Sequence, residues 1–204
     1  MKIIDLSHPI KNAMPVYPGD RDVEIVREKT WENDGYRLSS LTCSMHIATH
    51  IDAPSHLSKD ETMILDVHLN RCIGRSVLVD VRNKAQIDIS DIEQYPIEKD
   101  DIVIFLTGWS QYFGTSAYDD HPTLSESCAK LLVEKEVKLV AVDMPSVDHA
   151  PYPVHRLLFE HGILIAENLC NCESLVNRQF QMFAIPISID AEGALSRVFA
   201  IIED

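Results

Sequence analysis

Two strand-length segments mark the most strongly buried part of the chain. Asp101–Leu106 and Val137–Val142 are apolar except for Asp101 and Lys138, and such runs are typical of strands whose two faces are both covered. Between them, Ser125–Glu136 has apolar residues at helical spacing, with Ser125 placed to cap its first turn. The pattern predicts a buried sheet with a helix packed against it.

Weaker patterns predict further strands and one short helix. The additional strands are residues 2–6, Asp22–Thr30, Tyr36–Met45, Arg75–Val81, Gln181–Ile189 and Arg197–Ile202. Ser90–Tyr95 is a short helical candidate, and Asn33, Asp34 and Gly35 predict a turn between two of the strands. With about nine strands and two or three helices, the predicted fold class is mixed α/β.

The length and net charge of the chain limit the number of domains and the kinds of partner that it can have. The chain has 204 residues without an internal repeat or a long linker, which predicts one domain over residues 1–204. Its net charge of −14 argues against nucleic acid and anionic membrane surfaces as partners, since both require basic patches. There is no bilayer-length apolar stretch, no apolar run of the signal-peptide type at the N-terminus, and no Cys-x-x-Cys pair among the five cysteines. We therefore expect a cytoplasmic protein that acts on a small-molecule substrate.

The candidate chemistry is concentrated in the segment His46–His56. His46, His50, Asp52 and His56 all fall at even positions, while the odd positions are mostly apolar or β-branched. Imidazole and carboxylate groups are preferred ligands of zinc, manganese and iron. Four such groups aligned beside apolar residues favour a metal site over the alternative of separate surface or core side chains.

Geometry limits how this segment could share an ion. On a straight strand the Cα atoms of His46 and His50 would be about 13 Å apart, whereas a turn brings residues four apart to roughly 6 Å. His50 and Asp52 are two apart and share one face of extended backbone. We therefore predict a turn over His46–His50, followed by an extended run into Pro54.

A second segment carries a histidine and a glutamate at the two ends of a helix–strand unit. Residues 154–161 predict a helix that Gly162 ends, and Ile163–Ala166 predicts the strand that follows. An antiparallel return of that strand would leave Glu167 near His155. Taken singly, Glu167 is explained by a salt bridge and His155 by a surface position, but their joint spacing favours metal ligation.

The first segment resembles the signature of the cyclase family of metal-dependent hydrolases, which includes bacterial arylformamidases (kynurenine formamidases) and isatin hydrolases. The family pattern is His-x-Gly-Thr-His-x-Asp-x-Pro-x-His, and this chain matches it with Ala48 in place of the usual glycine. If that position requires a positive φ, alanine is strained there. The turn Asp143–Asp148, the unit around Gly162, and the ending with Gly193 and Arg197 are also similar to the family, so the resemblance runs nearly from end to end.

The resemblance implies a divalent metal centre built from both segments. Carried over by position, His46, His50 and Asp52 would bind one ion. Asp52, His155 and Glu167 would bind a second. One or two ions would be present, zinc first and manganese as the alternative. The resemblance also implies a swivelling β/β/α fold and a homodimer or homotetramer.

The family also implies roles for two further residues. His56 lies beyond Pro54, where the chain direction carries it away from the ligands, and it matches the family's catalytic acid/base. Tyr17 lies in the loop Pro15–Asp20, where the family has an aromatic residue against the substrate and several arylformamidases carry tryptophan. A packed tyrosine in a proline-stiffened turn explains Tyr17 equally well.

These observations predict a metal-dependent hydrolase of C–N bonds other than peptide bonds. The expected substrate is an aryl formamide such as N-formylkynurenine, or a cyclic amide such as isatin; the smaller stacking surface of Tyr17 relative to tryptophan weakens the case for N-formylkynurenine. The alternatives are a lactone or ester hydrolase on the same scaffold, and a metal-containing ligand-binding protein without turnover. His56 favours catalysis, because a purely structural site gains nothing from an acid/base that binds no metal.

Overall fold

A closed ring of seven strands forms the centre of the computed structural model, which describes residues 1–202. The strands in chain order are β1 (Lys2–Asp5), β2 (Glu24–Lys29), β3 (Leu38–Thr42), β4 (His50–Asp52), β5 (Ile73–Asp80), β6 (Gln86–Ile87), β7 (Ile102–Leu106), β8 (Thr123–Leu124), β9 (Leu139–Val142), β10 (Leu164–Glu167), β11 (Phe180–Pro186) and β12 (Gly193–Ile202). The helices are α1 (Trp31–Asp34), α2 (Ile89–Ile92), α3 (Glu126–Glu134) and α4 (Pro153–Glu160). Short 3₁₀ helices occupy Pro54–His56, Ile64–Asp66, Leu69–Arg71, Trp109–Tyr112, Ser116–Asp119 and Cys172–Leu175. In residues 1–202, no helix has the length and apolar character to span a bilayer.

The ring is closed by β12. The strand order is β4–β10–β9–β7–β5–β11–β12, and β12 pairs back with β4 through Gly193–Leu195 opposite His50–Asp52. The pairs from β5 through β7 and β9 to β10 are parallel, and the other pairs of the ring are antiparallel. β1 extends the sheet along the far half of β12, while β2–β3 and β6–β8 form separate two-stranded ribbons. Closure satisfies the hydrogen-bonding edges that an open sheet would expose.

Side chains alternate between the interior of the ring and its outer face. On β7, Ile102, Ile104 and Leu106 belong to the interior core, whereas Val103 and Phe105 belong to the outer core. The outer core is completed by α2, α3 and α4, each of which buries apolar side chains there. Because both faces of β7 are covered, its sequence is apolar without interruption.

The predicted mixed α/β class, with a mostly buried sheet and few helices, is confirmed. Ser125 caps α3 as predicted, since its Oγ accepts a hydrogen bond from Cys128 N at 3.1 Å. The predicted turn at 33–35 is instead the end of α1, which Gly35 terminates in the left-handed conformation at φ 73°. Twelve strands lie within residues 1–202 rather than about nine. The two-residue strands β6 and β8 are too short to show a sequence period.

Candidate metal centre and substrate cavity

The strand pair β4–β10 sets the positions of three buried polar side chains. His50 is the register partner of Glu167, and Ile51 is the partner of Ala166. Ile51 and Ala166 belong to the interior core. Their neighbours therefore face the other side of the sheet, because successive side chains on a strand alternate. His50, Asp52 and Glu167 are 1%, 1% and 5% exposed, which places three ionisable groups within the protein.

His46 reaches the same place through a bend in the chain. Residues 45–49 bend without forming a helical turn, and Ala48 has a φ of 48° in the left-handed region. The predicted turn over His46–His50 is therefore present in an irregular form, and the residue in the usual glycine position does have a positive φ. The bend brings Nδ1 of His46 to 2.8 Å from Oδ1 of Asp52. Gly193 on β12 leaves room for this pair, because a Cβ there would lie 2.8 Å from Cε1 of His46.

His155 lies in the first turn of α4, which places its imidazole beside the group formed by His46, His50 and Asp52. The Asp148 carboxylate accepts hydrogen bonds from the backbone N–H groups of Val154 (2.6 Å) and His155 (3.4 Å), so it caps the start of the helix. The other oxygen of Asp148 lies 2.6 Å from Nδ1 of His155. Because an ionised carboxylate only accepts, Nδ1 donates to it and Nε2 is left facing the site, 3.3 Å from Oε1 of Glu167. The helix–strand return thus brings His155 and Glu167 together, as the sequence predicted.

Several polar atoms at this point lack a well-aligned hydrogen bond although they are buried. They are Nε2 of His50, both carboxylate oxygens of Asp52 and Oε1 of Glu167. Leaving buried polar atoms unpaired costs about 1–3 kcal/mol each, and more for charged groups, so a cluster of them calls for an explanation. The Nδ1 atom of His50 donates to the carbonyl of Ala48 at 2.9 Å, which leaves Nε2 as an acceptor directed at the cluster.

These atoms form two overlapping groups of the kind that binds a cation. His46, His50 and Asp52 form one group, and Asp52, His155 and Glu167 form the other; within each group the candidate ligand atoms lie within 4.8 Å of one another. Imidazole nitrogens and carboxylate oxygens in this combination suit zinc, manganese or iron. The residues therefore fit a divalent cation, with Asp52 shared between the two positions.

The electrostatic field at the cluster favours positive charge. Burial opposes the charged form of Asp52, but His50 and His46 outweigh it and hold the Asp52 pKa well below its usual range. Burial likewise lowers the pKa of His155, but its hydrogen bonds to Asp148 and Glu167 prevail and raise that pKa to about 10. The same carboxylates that attract protons to these imidazoles would attract a metal ion in their place.

His56 lies beside the two groups without belonging to either. It ends the 3₁₀ helix Pro54–His56, and its ring centroid is 4.1 Å from that of His46 and 6.4 Å from that of His155. Burial is the main cause that lowers the pKa of His56, so its imidazole is neutral at neutral pH. A neutral imidazole at the wall of a cavity can both accept and return a proton.

A cavity of about 260 Å³ opens directly above the cluster. Its lining residues are Pro15, Val16, Tyr17, Asp20, His46, Ala48, His50, His56, Leu57, Tyr118, Asp119, Pro145, Ser146, Tyr152, His155, Glu167 and Asn168. The Tyr17 hydroxyl lies 2.9 Å from that of Tyr152, so the loop before β2 and the start of α4 meet across the cavity. Tyr17 is 45% exposed, which leaves much of its ring available to a ligand.

Some residues that shape the site were not assigned a role from sequence. Asp148 stands in the turn Asp143–Asp148, and its position just after a buried strand was the signal that could have found it. Glu192, whose Oε1 lies 3.2 Å from Nε2 of His46, and Tyr152 had no such local signal. The remaining histidines lie outside both ligand groups: His8, His68, His121, His149 and His161.

Comparison with known proteins relates this arrangement to a family. The Cyclase family (putative cyclase) matches residues 4–149. A kynurenine formamidase of Bacillus mycoides is 32% identical over 197 residues, which cover 94% of this chain and 93% of that protein. A predicted metal-dependent hydrolase from Bacillus stearothermophilus is 26% identical, with a TM-score of 0.83 and coverage of 98% of this chain and 97% of that one. Isatin hydrolase A from Labrenzia aggregata, at 22% identity, shares the fold with a TM-score of 0.91 over 100% of this chain and 94% of its own.

The fold, the buried site and these relatives together define the protein as a hydrolase. The chain belongs to the Cyclase family, whose match extends over well more than half of its length. The resemblance inferred from the His46–His56 segment is thereby confirmed.

Proposed function

We propose that the protein is a metal-dependent amidohydrolase that cleaves the C–N bond of an aryl formamide such as N-formylkynurenine, or of a cyclic amide such as isatin. The observation that carries the proposal is the cluster of His50, Asp52 and Glu167, whose buried polar atoms lack well-aligned hydrogen bonds, with His50 and Glu167 lining the cavity. The kynurenine formamidases and isatin hydrolases to which the chain is similar act on such bonds. The tyrosines and apolar side chains of the cavity wall suit an aromatic substrate.

His46, His50 and Asp52 would hold one divalent ion, and Asp52, His155 and Glu167 would hold a second. We infer zinc as the ion, with manganese as the alternative, because His/carboxylate sites accept both. When bound, such an ion supplies Lewis acidity toward a carbonyl oxygen and lowers the pKa of water to about 7 in the best cases. The Asp148 carboxylate keeps His155 in the tautomer whose Nε2 would be free to bind the ion.

His56 is the proposed acid/base. An amide nitrogen leaves poorly as an anion, so it must gain a proton as the C–N bond breaks. The neutral imidazole of His56 accepts a proton from the attacking water and then donates it to that nitrogen. Tyr17 offers its exposed ring as a stacking surface for the aryl group, with its hydroxyl anchored on Tyr152.

A panel of substrates measured with metal analysis tests the proposal. The purified protein is expected to contain a divalent metal and to hydrolyse N-formylkynurenine or isatin in a chelator-sensitive way. Faster hydrolysis of an aryl lactone or ester than of either amide would favour the alternative enzyme on the same scaffold. Full metal content with no turnover of any panel member would favour a metal-containing binding protein.

We further propose that the protein assembles as a homodimer or homotetramer in the cytoplasm. The ribbon β2–β3 and the adjoining α1 leave large apolar side chains exposed, including Trp31 at 61%, Leu38 at 50% and Leu41 at 45%. Large apolar side chains left exposed on one ribbon and its adjoining helix are typical of a surface that another subunit covers. Light scattering of Leu38→Asp beside the unaltered protein tests the assembly, and a monomeric wild-type protein would contradict it.

A further inference from the structure

The cavity carries negative charge that the candidate metal ligands do not account for. Its lining includes the carboxylates of Asp20 and Asp119 in addition to Glu167. No lysine or arginine is among the lining residues of this cavity. Within residues 1–202, neither Asp20 nor Asp119 forms an ion pair with a basic side chain, whereas Glu167 lies among the histidines.

The two carboxylates lie on different loops that meet at the mouth of the cavity. Asp119 ends the 3₁₀ helix Ser116–Asp119 and is exposed. Asp119 and Tyr17 both line the cavity. The hydrogen bond to Tyr152 is the main cause that raises the pKa of Tyr17 to about 12, and the charge of Asp119 adds to it. Asp20 is half-buried and accepts a hydrogen bond from Ser44 Oγ at 3.1 Å.

A buried tyrosine holds the 3₁₀ helix that carries Asp119 in place. Tyr118, the residue before it, is 5% exposed, and its hydroxyl donates to Oδ1 of Asn168 at 2.7 Å. Asn168 itself follows Glu167 at the end of β10, so the position of Asp119 is tied to the strand that carries a candidate ligand. His50 and Glu167 line the same cavity, and each has a buried side-chain atom without a well-aligned hydrogen bond. These atoms independently mark the cavity as a ligand site.

We propose that the mouth of the cavity selects substrates whose non-reacting side chain carries an ammonium group and disfavours those that carry only a carboxylate there, with Asp119 as the specificity-determining residue. This inference rests on the proposed function for the bond that is cleaved. It favours an aryl formamide with an aminoalkyl side chain over a cyclic amide such as isatin, which has no ammonium group. The carboxylates at the mouth would attract the ammonium group and would repel a side chain that ends in a carboxylate.

The size of the effect follows from the exposure of Asp119. An exposed charge pair is weakened by water and salt, so we expect a change of about threefold to fivefold in affinity rather than a large one. For the same reason the preference is expected to shrink as ionic strength rises from about 0.02 M to about 0.5 M, where the screening length falls to about 4 Å. A purely steric preference would not respond to salt in this way.

Equilibrium binding of the deformylated amines tests the inference without requiring turnover. Three ortho-aminophenyl ketones serve as probes: kynuramine, which carries an ammonium group, neutral ortho-aminoacetophenone, and the analogue whose chain ends in a carboxylate. Calorimetry on the metal-containing wild-type protein is expected to give the affinity order ammonium, neutral, carboxylate at low salt. An equal affinity for the three, a preference for the carboxylate, or no binding of any probe would overturn the inference.

The variant Asp119→Asn and its control Asp120→Asn separate charge from structure. Both aspartates are exposed and adjacent, but Asp120 does not line the cavity. Asp119→Asn is expected to lose the preference for ammonium and its salt dependence while binding the neutral probe unchanged, and Asp120→Asn is expected to keep both. An Asp119→Asn protein that still discriminates like the wild type would refute the role of Asp119.

Turnover of the corresponding formamides decides the proposed function separately. Hydrolysis of all three formamides with no charge preference in binding would leave the proposed function standing and end this inference. A clear ammonium preference in binding with no hydrolysis of any formamide would support the role of Asp119 and contradict the proposed function.

Discussion

Glu167 on β10 lies directly opposite His50 on β4, and Oε2 of Glu167 is 3.4 Å from Nε2 of His50. The two residues are far apart in the sequence and meet because their strands pair. The candidate ion position formed by Asp52, His155 and Glu167 is therefore complete only when β4 and β10 have paired. Metal binding and folding should be linked, since a ligand that binds only the native state stabilises it.

Removal of the metal is expected to lower the stability of the folded protein. At a free metal concentration about 1,000 times Kd, binding contributes about 4 kcal/mol, so chelation should shift the thermal midpoint clearly downward. Asp52 is shared by both ligand groups. Asp52→Asn should therefore lose metal from both positions, and its thermal midpoint should no longer respond to a chelator. Asp22→Asn, an exposed carboxylate substitution, should respond like the wild type; retained metal in Asp52→Asn would count against the assignment.

His56→Ala is expected to keep its metal and lose turnover. His56 stands outside both ligand groups, and a positioned acid/base contributes typically about 10²–10⁴-fold to a rate. Metal content by mass spectrometry and kcat on the best substrate of the panel measure the two effects. His68→Ala, at an exposed histidine, is the matched control. Undiminished kcat in His56→Ala would remove the residue from the mechanism.

Asp148→Ala is expected to weaken metal binding although Asp148 belongs to neither ligand group. Its carboxylate orients His155 through Nδ1 and caps the helix that carries it. Loss of such a supporting carboxylate typically costs about 10–100-fold in metal affinity or activity. Asp148→Asn retains an acceptor oxygen and should show a smaller loss. Competition with a chromophoric chelator provides the measurement, and equal affinities in all three proteins would contradict the role.

Ala48→Gly is expected to raise the free energy of unfolding. Ala48 has a φ of 48°, and the left-handed conformation costs an alanine about 1–2 kcal/mol. The added freedom of glycine in the unfolded chain returns about 0.4–1 kcal/mol of this, so the net gain should be about 1 kcal/mol or less. Urea unfolding measures it, with Ala85→Gly as the control at an exposed alanine of ordinary φ. The control should be destabilised; a similar loss in Ala48→Gly would show that the bend is not strained.

Stability is expected to fall below about pH 6.5 in part because of His8. Burial lowers the pKa of His8 from 6.5 to about 4, and its ring stacks on Phe113 with centroids 3.8 Å apart. Between these two values the unfolded chain binds a proton that the folded protein excludes, so stability rises with pH through this window and its contribution is complete above 6.5. His8→Gln should lose less unfolding free energy than the wild type between pH 7 and pH 5. The exposed substitution His161→Gln should not differ from the wild type, and the same pH slope in His8→Gln would exclude the contribution.

The local parts of this architecture could be predicted from sequence. The two-residue spacing of His50 and Asp52 fixes them on one face of a strand, and the helix–strand return fixes His155 near Glu167. Largely apolar segments identified the central strands, because the two faces of these strands meet two different cores.

The long-range parts could not be predicted in this way. Glu192 and Gly193 reach His46 only because β12 turns back to pair with β4, and no local pattern encodes that pairing. β4 itself is three residues long, too short for a sequence period. The meeting of Tyr17 with Tyr152 likewise joins two segments that are 135 positions apart in the sequence.

Ile51 lies between the two candidate ligands of β4, and Ala166 lies next to the one of β10; both point into the interior core while the ligands point out of it. Neighbouring residues of one strand thus have separate roles: one packs in the hydrophobic core, and the next contributes a candidate metal ligand. In residues 1–202, Tyr17 and Asp119, on the loops that border the cavity, form no hydrogen bond with a strand of the ring. Substrate choice can consequently drift over evolutionary time, by replacement of those loops, while the cation-binding floor and the capacity to fold are inherited intact.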